Sequence, residues 1–186
     1  VVCAGAEHQA ANILIATGAS PRMLPGVQPD GETLLTSREA LARRDPPKRA
    51  VIIGAGPIGV EFAHVWASYG AEVTIVELLE TLLPLEDPDI GRQLKRSFEG
   101  RGIRCLVKTR VEEVATGAGG ARVTVKSEAG EEALDADTVL VAIGFIPHTA
   151  GLNLESTGVA TQRGFITIDD RMQTSVPGIY AVGDVT

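Results

Sequence analysis

Three glycines and two acids in the middle of the chain have the types and spacing to hold a phosphorylated nucleotide. Val51 to Ile53 is an apolar run, Gly54-Ala55-Gly56-Pro57-Ile58-Gly59 follows at once, and seventeen residues lie between Gly59 and Glu77. A glycine turn of this kind has a physical job at each position. Gly54 permits a tight turn, Gly56 lets backbone approach a pyrophosphate, and Gly59 lets helix and strand pack closely. The free N–H groups and dipole of a helix starting near Pro57 favour an anion there. Glu77, at the end of the next strand, accepts from ribose hydroxyls. The same carboxylate repels the 2′-phosphate of NADP, and no basic residue follows it in sequence until Arg92, so the pattern favours NAD. Glu61 sits one turn into the helix. It is either a solvated helix-dipole acid or a group facing the reactive end of the cofactor, paired with a cation outside this chain.

These residues need a strand–helix–strand frame. Ala50–Ile53 reads as a buried strand, Pro57–Tyr69 as a helix with Ile58, Phe62, Val65 and Tyr69 on its apolar face, and Gly70 as its stop. Residues 71–76 give a second strand, Asp87–Arg101 a second helix, and 103–106 a third strand. This rhythm implies right-handed parallel crossovers. Residues 111–114, 121–126 and 131–134 then read as an antiparallel meander joined by glycine-rich turns, and Asp137–Ile143 returns to a buried strand. The fold class is α/β: a Rossmann-like sheet of about four parallel strands, with helices on one face and the three-stranded meander on the other. Outside this frame, residues 11–16 read as a strand, 20–31 as a loop, and 36–43 as a short helix capped by Thr36 or Ser37. Later strands fall at 165–169 and 179–182. A domain boundary is placed at Asp45-Pro46-Pro47.

A second motif, Thr174 to Asp184 (TSVPGIYAVGD), puts a carboxylate at the C-terminal edge of a strand, where α/β proteins bind ligands. Four segments occur in order: Ala16-Thr17-Gly18-Ala19-Ser20, the glycine turn with Glu61 and Glu77, Ala142 to Pro147 (AIGFIP), and Thr174 to Asp184. Their order and spacing resemble the FAD/NAD-linked pyridine nucleotide-disulfide oxidoreductases, most closely the dihydrolipoamide dehydrogenase branch, over essentially the whole chain.

The resemblance implies an NAD-binding domain over residues 46–147, flanked by FAD-domain portions at 1–45 and 148–186. It implies NAD contacts at Gly54, Ala55, Gly56, Pro57, Ile58, Gly59, Glu61, Glu77, Val111 and Gly144. It implies FAD contacts at Thr17, Gly18, Ala19 and Asp184, the last to the ribityl chain. It also pairs Glu61 with a lysine beside the flavin. In the intact enzyme a dithiol would reduce a disulfide, the disulfide FAD, and FAD would pass hydride to NAD⁺. A homodimer and a 2-oxo acid dehydrogenase complex as partner are implied too. Phe145, His148 and Ala19 depart from residues common in the family and loosen the assignment to one enzyme. Mercuric reductase, NADH oxidase and ferredoxin reductase share the fold and stay open, as does a non-catalytic nucleotide-binding module. A methyltransferase using S-adenosylmethionine would leave Thr174 to Asp184 unexplained.

Composition narrows the field. The chain has 186 residues, of which 44% are hydrophobic and 22% charged, with 17 Lys and Arg against 24 Asp and Glu, for a net charge of −7. That balance suits a folded domain and argues against nucleic acid and anionic membranes as partners. It is compatible with a cytoplasmic protein. Apolar runs fall well below the ~18 residues that span a bilayer. Cys3 and Cys105 form no CxxC or CxxxxC pair and read as small buried hydrophobes. His8, His64 and His148 lack metal-ligand spacing and read as surface or structural. The chain opens on Val1 and closes just after a strong motif, so it reads as a piece of a longer protein. The family's FAD pyrophosphate turn, redox disulfide and His–Glu acid/base pair have no counterpart in it. By itself it is expected to be a monomer, to bind NAD and to carry out no redox chemistry.

Overall fold

A computed structural model describes all 186 residues. They fall into two compact units, residues 21–144 and residues 1–20 with 145–186.

The larger unit is built on β1 (Leu34–Leu35), α1 (Ser37–Ala42), β2 (Arg49–Ile53), α2 (Pro57–Ser68), β3 (Glu72–Val76), α3 (Pro88–Glu99), β4 (Arg104–Leu106), β5 (Arg110–Gly117), β6 (Gly120–Ser127), β7 (Gly130–Ala136) and β8 (Thr138–Val141). Five strands form a parallel sheet in the order β1-β8-β2-β3-β4. This is one strand more than the roughly four expected. Leu34–Leu35 is too short to show a period, yet both residues are buried and pair with Val139 and Leu140 at the sheet edge.

Side chains alternate between the two faces of the sheet. Leu35, Ala50, Ile52, Val73, Ile75, Cys105 and Leu140 pack with Ala63, Trp66 and Phe98 of the helices. Leu34, Val51, Ile53, Val76, Val139 and Val141 pack with Val123, Val125, Leu134 and Ala136 of the meander. A parallel sheet covered on both faces reads as continuous apolar runs, as Val51 to Ile53 and Val139 to Val141 do. The meander order is β7-β6-β5. A register shift at Thr124/Val125 lets Val111 and Val114, three residues apart, pair with Val125 and Val123, the usual result of an inserted bulge residue.

The buried face of α2 differs from the expected one. Gly59, Val60, Ala63 and Trp66 are buried, whereas Val65 is 44% and Tyr69 74% exposed. The helix carries two apolar stripes, and the one with the small residues Gly59 and Ala63 lets the helix axis come close to the sheet. Helix ends follow their caps. Thr36 caps α1: its hydroxyl accepts from Arg38 N–H at 3.2 Å, and Glu39 closes a capping box by accepting from the Thr36 N–H at 2.8 Å. Asp87 caps α3 ahead of Pro88, accepting from Asp89 N–H at 2.8 Å.

In the smaller unit, Ile13–Ile15 pairs in parallel with Ile179–Ala181. Leu154, Val159, Ile166, Ala181 and Val185 form its core. The strand expected at 165–169 is confined to Phe165–Ile166, because Asp169 turns the chain by accepting from the N–H groups of Arg171 and Gln173 at 2.8 and 2.9 Å. Ala19–Pro21 is a short strand where loop was expected from residue 20. Cys3 is exposed, contrary to its expected burial, because Val2–Cys3 belongs to a small hairpin with Ala6–Glu7. Cys105 is buried, and burial pushes its thiol up to about 11. No helix of the chain is long and apolar enough to cross a membrane.

Candidate dinucleotide site

The glycine turn leaves β2 at the C-terminal edge of the sheet. Gly54 has φ +103° and donates its N–H to Val76 O at 2.8 Å. A side chain at Gly54 would strike the Ala142 carbonyl oxygen, 2.4 Å from an added Cβ. A side chain at Gly59 would strike the Gly54 carbonyl, 2.0 Å from its Cβ. These two glycines therefore hold the turn against the neighbouring strand end and hold α2 against the turn. Gly56 differs, because an added Cβ there would meet nothing within 4 Å. Its missing side chain leaves open space at the N-cap of α2, where no side chain satisfies the first-turn N–H groups. That is the geometry of an anion-accepting helix N-terminus.

Glu77 completes the site in three dimensions. It follows β3 and is only 7% exposed. Its Oε2 accepts from the Ala55 N–H at 2.7 Å and its Oε1 from the Leu79 N–H at 2.8 Å. The acid predicted from sequence is thus fixed directly on the glycine turn. A carboxylate oxygen accepts more than one hydrogen bond, so capacity remains for ribose hydroxyls. The Glu77 backbone is held as well, its N–H donating to Leu106 O at 2.8 Å and its carbonyl accepting from Thr109 N–H at 2.9 Å. Val111, two residues later, is the second residue of β5 and lies part-buried against the meander core. Gly144, with φ +104°, follows the end of β8. The structure therefore gathers residues 54–59 with Glu77 and sets Val111 and Gly144 on segments that leave the same sheet. Glu61 stands apart from this carboxylate contact. It is exposed and lines a groove with Leu41, Arg43, Phe62, Val65 and Trp66 between α1 and α2.

In the smaller unit, Thr17-Gly18-Ala19 and Asp184 both follow the C-terminal ends of the paired parallel strands, with Val182 N–H donating to Ile15 O at 3.0 Å. The segment 17–20 is fastened to His148. Thr17 Oγ1 donates to the His148 carbonyl at 2.7 Å, and the His148 N–H donates to Gly18 O at 2.8 Å. The imidazole Nδ1 lies 2.9 Å from Thr17 O and its Nε2 2.6 Å from Ser20 Oγ. An Nδ1–H donating to the carbonyl leaves Nε2 to accept from the Ser20 hydroxyl. Sequence reading missed this Ser20–His148 contact, since 128 positions separate the two residues.

It also missed Lys108. No basic group follows Glu77 closely in sequence, but the fold brings one in: Lys108 N–H donates to Leu79 O at 2.9 Å, and its ammonium lies 2.6 Å from Glu80 Oε1. The Lys108 ammonium holds the Glu80 carboxyl below its usual range, first by the side-chain hydrogen bond and then by Coulomb attraction, and Glu80 in turn raises Lys108.

A glycine turn anchored to a strand-end carboxylate, on a doubly covered parallel sheet, is the architecture of the Rossmann class. The sequence pattern of the pyridine nucleotide-disulphide oxidoreductases matches residues 2–186, and the chain belongs to that family. It is 45% identical over 178 residues to a dihydrolipoyl dehydrogenase of Chlorobaculum tepidum, an alignment covering 95% of this chain and 38% of that protein. It is 44% identical to the leghemoglobin reductase of Glycine max, covering 94% and 34%. Among solved structures, LpdA of Mycobacterium tuberculosis superposes with a TM-score of 0.82 at 38% identity, covering 96% of this chain and 39% of that one. The HOCl-induced flavoprotein disulfide reductase RclA of Escherichia coli gives 0.73 at 34% identity, covering 94% and 40%. The chain thus spans less than two fifths of the length of the dihydrolipoyl dehydrogenases it matches.

Proposed function

We propose that residues 46–147, with the edge strand β1 and helix α1 that pack in the same unit, are the NAD-binding domain of a flavoprotein of the dihydrolipoyl dehydrogenase type, with residues 1–20 and 148–186 contributed to its FAD-binding domain. The observation that carries this reading is the Glu77 carboxylate held on the Ala55 N–H beside the uncapped start of α2. In it, the N–H groups of Gly56, Ile58 and Gly59 at the start of α2 receive the pyrophosphate, Gly54, Ala55 and Pro57 shape the turn that brings them there, and Glu77 receives the adenosine ribose hydroxyls. Val111 and Gly144 flank the nucleotide, and Glu61 lies toward its nicotinamide end. Thr17, Gly18, Ala19 and Asp184 receive FAD at the ends of two parallel strands. Bound FAD and NAD supply the hydride-transfer chemistry. This chain's contribution is to position them and to exclude the wrong dinucleotide. The 45% identity to a dihydrolipoyl dehydrogenase supports dihydrolipoamide as the reductant. The intact protein in this reading is a cytoplasmic homodimer serving a 2-oxo acid dehydrogenase complex.

The test is a titration of the full-length protein with NADH, with NADPH and S-adenosylmethionine as controls. The expected result is saturable NADH binding, much tighter than NADPH, and weakened at least about tenfold in Glu77→Ala, which removes the ribose acceptor and strands the Ala55 and Leu79 N–H groups. Equal binding of NADH by wild type and Glu77→Ala would remove Glu77 from the site.

A further inference from the structure

The smaller unit holds a polar cluster that plays no part in the NAD site. Beyond the paired strands Ile13–Ile15 and Ile179–Ala181, the chain turns at Gly18 and Gly183, with φ +71° and +78°. A Cβ added to either glycine would meet nothing within 4 Å. Two open turns at neighbouring parallel strand ends make a cradle where α/β sheets take a ligand. The carboxylate of Asp184, next in the chain after Gly183, is an acceptor for ribityl hydroxyls, so the residues present fit FAD.

Such a cradle works only if its walls keep their shape. Thr17 and Gly18 lie outside any strand, and Thr17 is exposed, so packing does little to hold them. His148 holds them by hydrogen bonds. Its main chain takes part in two, accepting from Thr17 Oγ1 at 2.7 Å and donating to Gly18 O at 2.8 Å. Its ring adds two more, Nδ1 to Thr17 O at 2.9 Å and Nε2 to Ser20 Oγ at 2.6 Å. One planar ring with a nitrogen on each side thus spans the segment and closes over Gly18 and Ala19. Any residue at 148 can supply the main-chain bonds, but the pair of side-chain bonds needs the imidazole. The ring contacts are open to solvent, so water replaces them when they are lost and the fold as a whole loses little. The cost falls on the order of the segment, which a ligand must then restore on binding.

We propose that His148 is a positioning residue of the flavin site: its imidazole clasps Thr17 and Ser20 and so keeps Thr17, Gly18 and Ala19 in the shape that receives FAD. This deepens the assignment of that segment to FAD made above and rests on it.

The experiment follows FAD release and affinity in the full-length holoenzyme, by the flavin fluorescence recovered on dilution, for wild type, His148→Leu, His148→Asn, Ser20→Ala and Asp184→Ala. Segment-resolved hydrogen exchange over residues 21–144, read in parallel, shows that the larger unit is intact. The expected result is FAD affinity weakened about tenfold in His148→Leu and about threefold in Ser20→Ala, the size of two ordinary hydrogen bonds and of one. His148→Asn should stay within about threefold of wild type, because its amide N–H takes the place of Nδ1–H on Thr17 O. An equal loss in His148→Asn and His148→Leu overturns the clasp, since the ring's bulk and not its bonds would then matter. FAD affinity unchanged in His148→Leu but weakened in Asp184→Ala overturns the role of His148 alone. Affinity unchanged in both overturns the assignment of these strand ends to FAD, and so separates the two failures.

Discussion

The two units of the chain are held together in different ways. Residues 21–144 cover both faces of a five-stranded sheet, with fifteen buried side chains in the helical cluster and eleven in the meander cluster. Residues 1–20 and 145–186 gather strands of two or three residues around five buried side chains, and Leu14, in the middle of a strand, stays 62% exposed. In the first unit the site geometry is set by close packing: Gly54 sits on the Ala142 carbonyl and Gly59 on the Gly54 carbonyl. In the second, hydrogen bonds exchanged with His148 fasten the candidate flavin segment. Packing tolerates no added atom, whereas a hydrogen-bonded loop tolerates added atoms and depends on its polar partners.

The glycines break this comparison most directly. Gly59→Ala places a methyl 2.0 Å from the Gly54 carbonyl oxygen, so turn and helix must separate. The expected cost is about 3 kcal/mol or more in stability, with loss of NADH binding. Gly18→Ala meets nothing within 4 Å and has only its φ of +71° against it, a cost of about 1–2 kcal/mol. Thermal unfolding of the two full-length variants side by side tests the ordering. A Gly18→Ala variant as damaged as Gly59→Ala would show that the smaller unit is packed as tightly as the larger.

Core truncation sharpens the same contrast. Ile52 is fully buried in the larger unit and Ile166 almost so in the smaller, so the chemistry of Ile→Ala is matched. Cavity cost rises where neighbours cannot relax. Ile52, on a central strand between two sheet partners, is expected to lose about 4 kcal/mol, and Ile166, on a two-residue strand, about 2 kcal/mol. Hydrogen exchange resolved by segment reads the two losses separately. Equal losses would mean that the small core is as unyielding as the large one.

The same division governs how much of the structure was legible in the sequence. The sheet and glycine turn were legible because their determinants are local: apolar runs of strand length, glycines at fixed offsets, and Glu77 at the next strand end. The face of α2 was not, because hydrophobicity alone offers two stripes. The small volumes of Gly59 and Ala63, which decide between them, matter only once a sheet lies underneath. Leu34–Leu35 carries no period and becomes a strand only by pairing with Val139 and Leu140. Lys108 and His148 act through partners 28 and 128 positions away, Glu80 and Ser20, a separation that no local pattern records.

The capping box of α1 gives the smallest effect and a different readout, pH. Glu39 accepts from the hydroxyl and the backbone N–H of Thr36, and these bonds, the hydroxyl's first, hold its carboxyl below the ordinary value. A group whose folded pKa is depressed stabilises the fold above its unfolded pKa, near 4.5, and loses that contribution as pH falls through the lower folded value. Thr36→Ala removes the cap and is expected to cost about 1 kcal/mol at neutral pH. Because the favoured partner of the ionised carboxyl is gone, the variant should also lose less stability than wild type between neutral pH and the acid side of that range. The two stability curves therefore converge on acidification. Curves that stay parallel down to pH 3 would assign the cost of Thr36→Ala to packing against the sheet edge at β1 rather than to the cap.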